Sequence, residues 1–161
     1  MSTESQVVSS GGPAPYRAIL WGGLLAGILD ITAAFINSAL QGGRSPMWVL
    51  QSVASGLLGA DSYKGGIRTA VLGVVLHFLI AFVAATVYYA LSRKLTFLIK
   101  QAVVCGLLYG VAVYLFMYGV VLPLTFHRSF FQQLTAVATG LGIHMLCVGL
   151  PISLVVRQYA K

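Results

Sequence analysis

The chain has 161 residues, of which 58% are hydrophobic and only 8% are charged. Soluble domains carry roughly 25% charged residues, so this chain has too few charges to cover the surface of a soluble globule. The composition argues against a soluble enzyme, an extracellular disulfide scaffold and a disordered regulator, and it predicts an integral membrane protein with one domain. The net charge is +7. Its basic residues lie at the ends of apolar runs, which indicates contact with the lipid bilayer and not with nucleic acid.

The N-terminal segment, 1–15, is small and polar, without the basic start and apolar core of a signal peptide. We expect a disordered N-terminal tail over 1–15 and a transmembrane domain over 16–161. Four apolar runs of 23 or 24 residues follow, approximately 18–40, 69–91, 101–124 and 134–156. As helices they would each be about 35 Å long, enough to cross a hydrocarbon core of about 30 Å. The predicted fold is therefore an all-α bundle with four transmembrane spans.

A shorter apolar segment, residues 46–59, lies between the first two runs. Ser45 and Pro46 are typical of a helix start, because a capping hydroxyl precedes proline at the first helical position. A helix of about 14 residues is too short to span the bilayer. We therefore expect an interfacial or re-entrant helix, with Trp48 at the level of the lipid headgroups.

Two parts of the chain resemble each other and indicate an internal repeat. Residues 44–58 are identical to residues 128–142 at seven of 15 positions. Upstream, GGLLAG at 22–27 resembles CGLLYG at 105–110. The two matches have nearly the same separation along the chain, which favours a duplication. Its halves would be parallel repeats about an axis along the membrane normal.

Small residues recur at steps of three and four in each run, which places them on one stripe of each helix. Gly23 and Gly27 form one GxxxG pair, and Gly106 and Gly110 form another. In lipid, such pairs allow two helices to approach closely. The pairs indicate either packing between helices of one chain or the interface of a homo-oligomer.

The basic residues predict the orientation of the four spans. One side carries Arg17, Arg93, Lys94, Lys100, Arg157 and Lys161, and the other carries Arg44, Lys64, Arg68 and Arg128. Basic residues concentrate on the cytoplasmic side of a membrane. The excess of six over four therefore predicts that both termini are cytoplasmic, in the inner (plasma) membrane of a cell.

Three ionisable residues stand inside the runs at similar depth. Asp30, His77 and His144 lie about 17, 12 and 15 Å from the same side of the membrane. An isolated charged aspartate at mid-membrane costs about 2.5–3.5 kcal/mol on insertion scales. Because a nearby imidazole would supply a partner, we expect these three side chains to converge in the bundle interior.

The chemistry of this cluster has four possible interpretations. The first interpretation is a neutral hydrogen-bonded cluster that joins helices. The second is a path for protons or cations, because histidine and a buried carboxylate can both titrate near neutral pH. The third interpretation is a transition-metal site with two histidines and one carboxylate as ligands. The fourth is a site for a b-type haem held by His77 and His144. A further group of residues either lines a cavity or makes ordinary hydrogen bonds: Asn37, Ser38, Thr86, Tyr109, Tyr114 and Tyr118.

Catalytic motifs are missing from the sequence. It contains no HExxH, no GxSxG, no P-loop and no GxGxxG that follows a strand. This favours a protein without catalytic activity, with no resident cofactor predicted. The remaining alternative to a cation-handling protein is a structural or partner-binding membrane subunit with no chemistry of its own.

Several motifs together resemble one bacterial family. GLLAG opens the first run, a histidine precedes AFVAATVYYAL in the second, GLLYG lies in the third, and GIH with a basic tail lies in the fourth. In helix order and glycine placement, most of the chain is similar to the YagU-like group of small multi-pass inner-membrane proteins. The resemblance implies a bacterial inner membrane and supplies no catalytic residues. The segment SPMWVLQSVASGLLG is not mapped onto that group.

Overall fold

A computed structural model describes residues 15–121 and 134–159. These residues form helices and short connections with no strand among them, which confirms the predicted all-α bundle. The helices are α1 (Pro15–Gly42), α2 (Pro46–Leu58), α3 (Gly66–Lys94), α4 (Ala102–Val121) and α5, described from Leu134 to Tyr159. A 3₁₀ segment, Gly59–Lys64, precedes α3, and a single helical turn, Phe97–Lys100, precedes α4. The predictions for residues 1–14, for 122–124, and for Arg128 and Lys161 lie outside the described residues.

The long helices α1, α3, α4 and α5 are each long and apolar enough to cross a membrane. Their most apolar stretches have mean hydropathies between 1.9 and 2.5. Large apolar side chains point outward, as Ile36, Val75 and Leu108 do, while alanines such as Ala18 and Ala85 are fully buried. Small residues inside and large ones outside are typical of helices that pack in lipid. There, removal of apolar surface from water does not drive the helices together. The architecture supports a multi-pass membrane protein.

Neighbouring long helices are antiparallel. Helix α1 packs against α3 on one side and α5 on the other, and α5 packs in turn against α4. We call the end of the bundle that carries Pro15 and Tyr159 the terminal end, and the opposite end, which carries Gly42 and Gly66, the distal end. Lys94 of α3 and Ala102 of α4 also lie at the terminal end.

The glycine pair of α1 allows its close approach to α3. A Cβ at Gly23 would overlap the Phe82 ring, and one at Gly27 would lie 2.7 Å from a ring carbon of Phe78. Both phenylalanines therefore pack against α1 where it has no side chains. The order of these contacts is that of an antiparallel pair, because the residue later in α1 meets the residue earlier in α3.

The glycine pair of α4 brings its backbone against that of α5. A Cβ at Gly149 would overlap the Gly106 carbonyl and the backbone of Gly110, and a Cβ at Gly106 would overlap the Ser153 hydroxyl. Three glycines thus form one backbone-to-backbone contact. Both GxxxG pairs make contacts within the chain, as in the intramolecular alternative. A homo-oligomer stays a prediction that these contacts do not test.

Helix α2 begins as the sequence indicates. The Ser45 hydroxyl accepts a hydrogen bond from the Trp48 backbone N–H at 3.3 Å, and Pro46 occupies the first helical position. The Trp48 ring stacks on Tyr63 with centroids 5.5 Å apart. The Arg44 guanidinium lies 3.8 Å from the Trp48 ring centre, which is a cation–π contact. This aromatic and basic group lies at the distal end, where headgroups would meet the protein.

Helix α2 packs directly on α3 and does not lie free on a surface. A Cβ at Gly73 would overlap the Leu50 carbonyl, so the two backbones touch. The buried Gln51 amide donates to the Gly66 carbonyl at 3.1 Å. Gly73 lies two turns into α3, about 10 Å from its distal end. Helix α2 thus reaches into the distal third of the bundle.

The two segments of the repeat adopt different structures. Residues 46–58 form a separate helix, whereas the described part of the matching segment, 134–142, continues into the rest of α5. Helix α2 ends at Gly59, whose φ of +61° is a conformation that favours glycine. The residue that matches Gly59 in the second segment is Ile143, whose φ is −59° and which remains helical. The two segments therefore differ in backbone conformation at this position, where glycine permits the helix of the first segment to end.

Candidate functional site

Two adjoining cavities lie between the helices. The central cavity, of about 480 Å³, receives residues from all five helices, and its polar lining consists of Asp30, Ser52, His77, Tyr118 and His144. The outer cavity, of about 240 Å³, is lined by Asn37, Tyr114 and Gly140 among others. Asp30, Ala34, Tyr118 and His144 line both cavities. We treat the two as one site.

The site extends along the axis of the bundle. On α1 its lining residues run from Ala26 to Asn37. Asn37 follows Ala26 by 11 positions, a rise of about 16 Å along the helix. Asn37 is five residues from the distal end of α1. The site therefore extends from mid-membrane to within about 8 Å of the distal end of this helix.

A pair of tyrosines lies next to the site on the terminal side. The Tyr109 hydroxyl of α4 donates to the Ala84 carbonyl of α3 at 2.8 Å, and Ala84 itself lines the central cavity. One turn further along α3, the Tyr88 ring meets Tyr109 at 4.9 Å, and its hydroxyl donates to the Leu98 carbonyl at 3.1 Å. These contacts join α3 to α4 on the terminal side, where Tyr88 is buried. The arrangement favours access from the distal end.

Asp30 is the single charged residue among the described residues that line either cavity. Its side chain is partly exposed to this space. Within residues 15–121 and 134–159 it forms no ion pair, since the salt bridge found there joins Lys64 to Asp61 at the surface. A carboxylate at this depth is costly unless a cation, a proton or water accompanies it. The Asp30 carboxyl group thus faces the cavities without a cationic partner among the described residues.

His77 bonds to the backbone of α1 and not to Asp30. Its Nε2 atom lies 2.9 Å from the Gly27 carbonyl oxygen. Because a carbonyl only accepts, Nε2 carries the proton and Nδ1 is left as the free nitrogen. His77 therefore joins α3 to α1 one turn from Asp30.

His144 lies among aromatic rings. Its Nδ1 atom donates to the Gly140 carbonyl in its own helix at 2.9 Å, so Nε2 is the free nitrogen. The imidazole meets the rings of Tyr114 and Tyr118 edge to face, with centroids 5.4 and 6.1 Å away. The two tyrosines stack on each other at 4.4 Å. We call Tyr114, Tyr118 and His144 the aromatic wall of the site.

Two π-helical segments carry part of this lining, including Tyr118 and His144. Met117–Val121 ends the described part of α4, and His144–Gly149 lies in the middle of α5. In the sequence, a proline follows each segment by two positions, Pro123 in one case and Pro151 in the other. Proline removes an N–H and crowds the carbonyl four residues earlier, which a wider turn relieves. Such turns are frequent at functional sites, and here both face the same cavity.

The three residues singled out from their depth, Asp30, His77 and His144, all line the central cavity. The two imidazoles bond to backbone carbonyls, so the structure does not place them in one hydrogen-bonded set with the carboxylate. In the part of the chain that the structure describes, no three His, Cys, Asp or Glu residues are grouped closely enough to hold a metal ion. The metal and haem hypotheses stay untested predictions.

Five of the six remaining polar candidates divide into two groups, and Ser38 lines neither cavity. Asn37, Tyr114 and Tyr118 line the outer cavity. Thr86 and Tyr109 instead make ordinary hydrogen bonds, to the carbonyls of Phe82 and Ala84. Sequence reasoning did not identify α2 as part of the site, although Ser52, Val53, Gly56 and Leu57 line the central cavity. Ser52 and Gly56, small residues four positions apart on one face of α2, are the sequence feature that points to this lining.

No family model, curated protein or solved structure matches this chain. The similarity to the YagU-like group therefore rests on the sequence motifs alone. What the site does has to be argued from its own geometry.

Proposed function

We propose that this chain is a multi-pass protein of a bacterial inner membrane that takes up protons or other cations into the central cavity, where Asp30 binds them. The observation that carries the proposal is the position of Asp30, the one acidic group among the described lining residues of a cavity at mid-membrane depth. Intramembrane carboxylates that face a cavity are typical of ion and substrate pathways. The cavity is mostly apolar with a few convergent polar groups, as binding sites commonly are.

The shape of the site supports entry from the distal end. Its lining extends to Asn37 near that end of α1, while Tyr88 and Tyr109 join α3 to α4 on the terminal side. A cation would pass Asn37, meet Asp30, and be separated from the terminal end by the tyrosine pair. Release on that side would require α3 and α4 to move apart.

A structural role is the second candidate, and the histidines favour it. Both imidazoles bond to backbone carbonyls without needing a ligand: His77 joins α3 to α1, and His144 bonds within α5. Under this alternative Asp30 would contribute only to packing. Intramembrane hydrogen bonds contribute about 0.6 kcal/mol on average, so replacement of Asp30 would change the stability only slightly. It would change no ion flux.

Substitution of Asp30 distinguishes the two candidates. The protein is reconstituted into lipid vesicles, and proton influx, rubidium uptake and uptake of radiolabelled choline are each measured against protein-free vesicles. We expect Asp30→Asn to abolish whichever flux the wild-type protein supports, because the amide keeps the shape and loses the charge. Asp61→Asn is the matched control, since Asp61 lies at the surface in an exposed ion pair with Lys64. Equal fluxes in wild type and Asp30→Asn would contradict the proposal.

The proposal includes an orientation with both termini in the cytoplasm. The excess of basic residues on the terminal side motivates it. Alkaline phosphatase, which is active only in the periplasm, is fused after Lys161, and a second fusion is made within the connection at Gly43. We expect an inactive C-terminal fusion and an active fusion at Gly43. The reverse pattern would overturn the orientation and move the distal end to the cytoplasm.

A further inference from the structure

The aromatic wall beside Asp30 narrows the class of cation. We propose that the occupant of the site is a small organic ammonium ion, with a quaternary or methylated nitrogen between the Asp30 carboxylate and the rings of Tyr114 and Tyr118. This inference rests on the proposed function and specifies its substrate class.

The composition of the outer cavity supports an ammonium ion. Asp30 shares this cavity with both tyrosines and with His144, and the tyrosine rings are stacked at 4.4 Å with an interplanar angle of 24°. Aromatic rings attract alkylammonium groups through their π-systems, most strongly where water is excluded. A carboxylate at the same place neutralises the charge. The combination of one acid with an aromatic surface is what recognition of such ions requires.

The size of the site also favours an organic ion. The outer and central cavities, of about 240 and 480 Å³, adjoin through four shared residues. Ligand pockets for small organic molecules commonly measure about 300–1,000 Å³. A proton path needs only a file of water molecules, whereas a space of this size beside Asp30 also has room for an organic ion.

The apolar lining disfavours a hydrated inorganic ion. Hard metal ions need several oxygen ligands to replace their water, whereas most of the lining of the central cavity is carbon, as at Ala34, Val113 and Met117. The methyl groups of an alkylammonium ion suit such a surface. Only its charge then needs a partner, and Asp30 supplies one.

The test compares choline with its neutral isostere, 3,3-dimethylbutan-1-ol. Binding is measured by titration calorimetry on the full-length protein in lipid nanodiscs, with tetramethylammonium chloride as a second cation and sodium chloride as the ionic control. We expect choline and tetramethylammonium to bind and the neutral alcohol to show no binding at the same concentrations. A preference for the alcohol, or equal binding of alcohol and choline, would overturn the inference.

Variants of Tyr118 locate the binding. Tyr118→Leu removes the ring, and we expect choline affinity to fall about tenfold, as loss of a desolvated cation–π contact predicts. Tyr118→Phe keeps the ring, and affinity should stay within about twofold. Tyr16→Leu is the control, because Tyr16 is exposed at the start of α1 and lies outside both cavities. Equal choline affinity in Tyr118→Leu and wild type would contradict the proposed contact.

The two proposals fail in different ways. Asp30-dependent proton or rubidium flux without choline binding would overturn the ammonium inference and leave the cation function in place. Absence of every Asp30-dependent flux together with absence of choline binding would overturn both. Folding of each variant is checked by unfolding in denaturing detergent, so that a loss of binding is read only from folded protein.

Discussion

Gly149→Ala is expected to lower the free energy of unfolding by about 1–3 kcal/mol, the usual effect of overpacking a filled interior. The added methyl group would overlap the Gly106 carbonyl and the Gly110 backbone. Backbone atoms of a helix cannot rotate away as a side chain does. The two helices would therefore have to separate. The measurement is a titration with denaturing detergent in mixed micelles.

Gly142→Ala in the same helix is the matched control. No described atom lies within 4 Å of the Cβ that this change adds. Alanine is a better helix former than glycine by about 1 kcal/mol, so the control should be neutral or slightly stabilising. If the two variants unfold alike, the three-glycine contact does not hold α4 against α5.

Filling the site with a side chain should abolish cation uptake and leave the fold intact. Ala34 lines both cavities, at the point where they adjoin. A phenylalanine at this position would occupy the space in front of Asp30, where the cavity gives the ring room. We expect Ala34→Phe to reduce uptake to that of protein-free vesicles, in the flux assay that wild type supports.

Ala39→Phe is the control for this change. Ala39 lies on the same helix but is exposed. The variant adds the same volume and apolar surface outside the site, so uptake should equal that of wild type. Full uptake by Ala34→Phe, with folding preserved, would show that cations do not pass through these cavities.

Much of the fold follows from simple features of the sequence. Four apolar runs of 23 or 24 residues have the length of helical spans, and a helix satisfies its own backbone hydrogen bonds in a bilayer. Ser45 and Pro46 predict the start of α2, and the structure shows that capping hydrogen bond. Depth along each run is set by the rise per residue, which is why the position of Asp30 relative to His77 and His144 follows from counting.

Hydrogen-bond partners and local helix width do not follow from counting. His77 bonds to the Gly27 carbonyl of another helix and His144 to the Gly140 carbonyl of its own helix, and an assignment based on depth does not reveal these partners. The π-helical segments depend on how the chain accommodates a proline after them, and sequence alone predicts only a kink. The packing of α2 on α3 depends on backbone contact at Gly73, which is a property of the assembled bundle.

Chemical modification of Asp30 in the folded protein tests the central claim most directly. The chain contains three acidic residues, Glu4, Asp30 and Asp61, so each can be followed by mass spectrometry after digestion. An apolar carbodiimide reacts with carboxyl groups that it reaches from lipid or from an apolar cavity. We predict that it modifies Asp30. Choline, sodium and rubidium are then added one at a time, and we expect at least one of these three ions to slow the reaction. Modification of Asp30 at an unchanged rate with every cation would contradict a site for any of these three ions at this carboxylate, and its complete protection in their absence would contradict an accessible carboxyl group there.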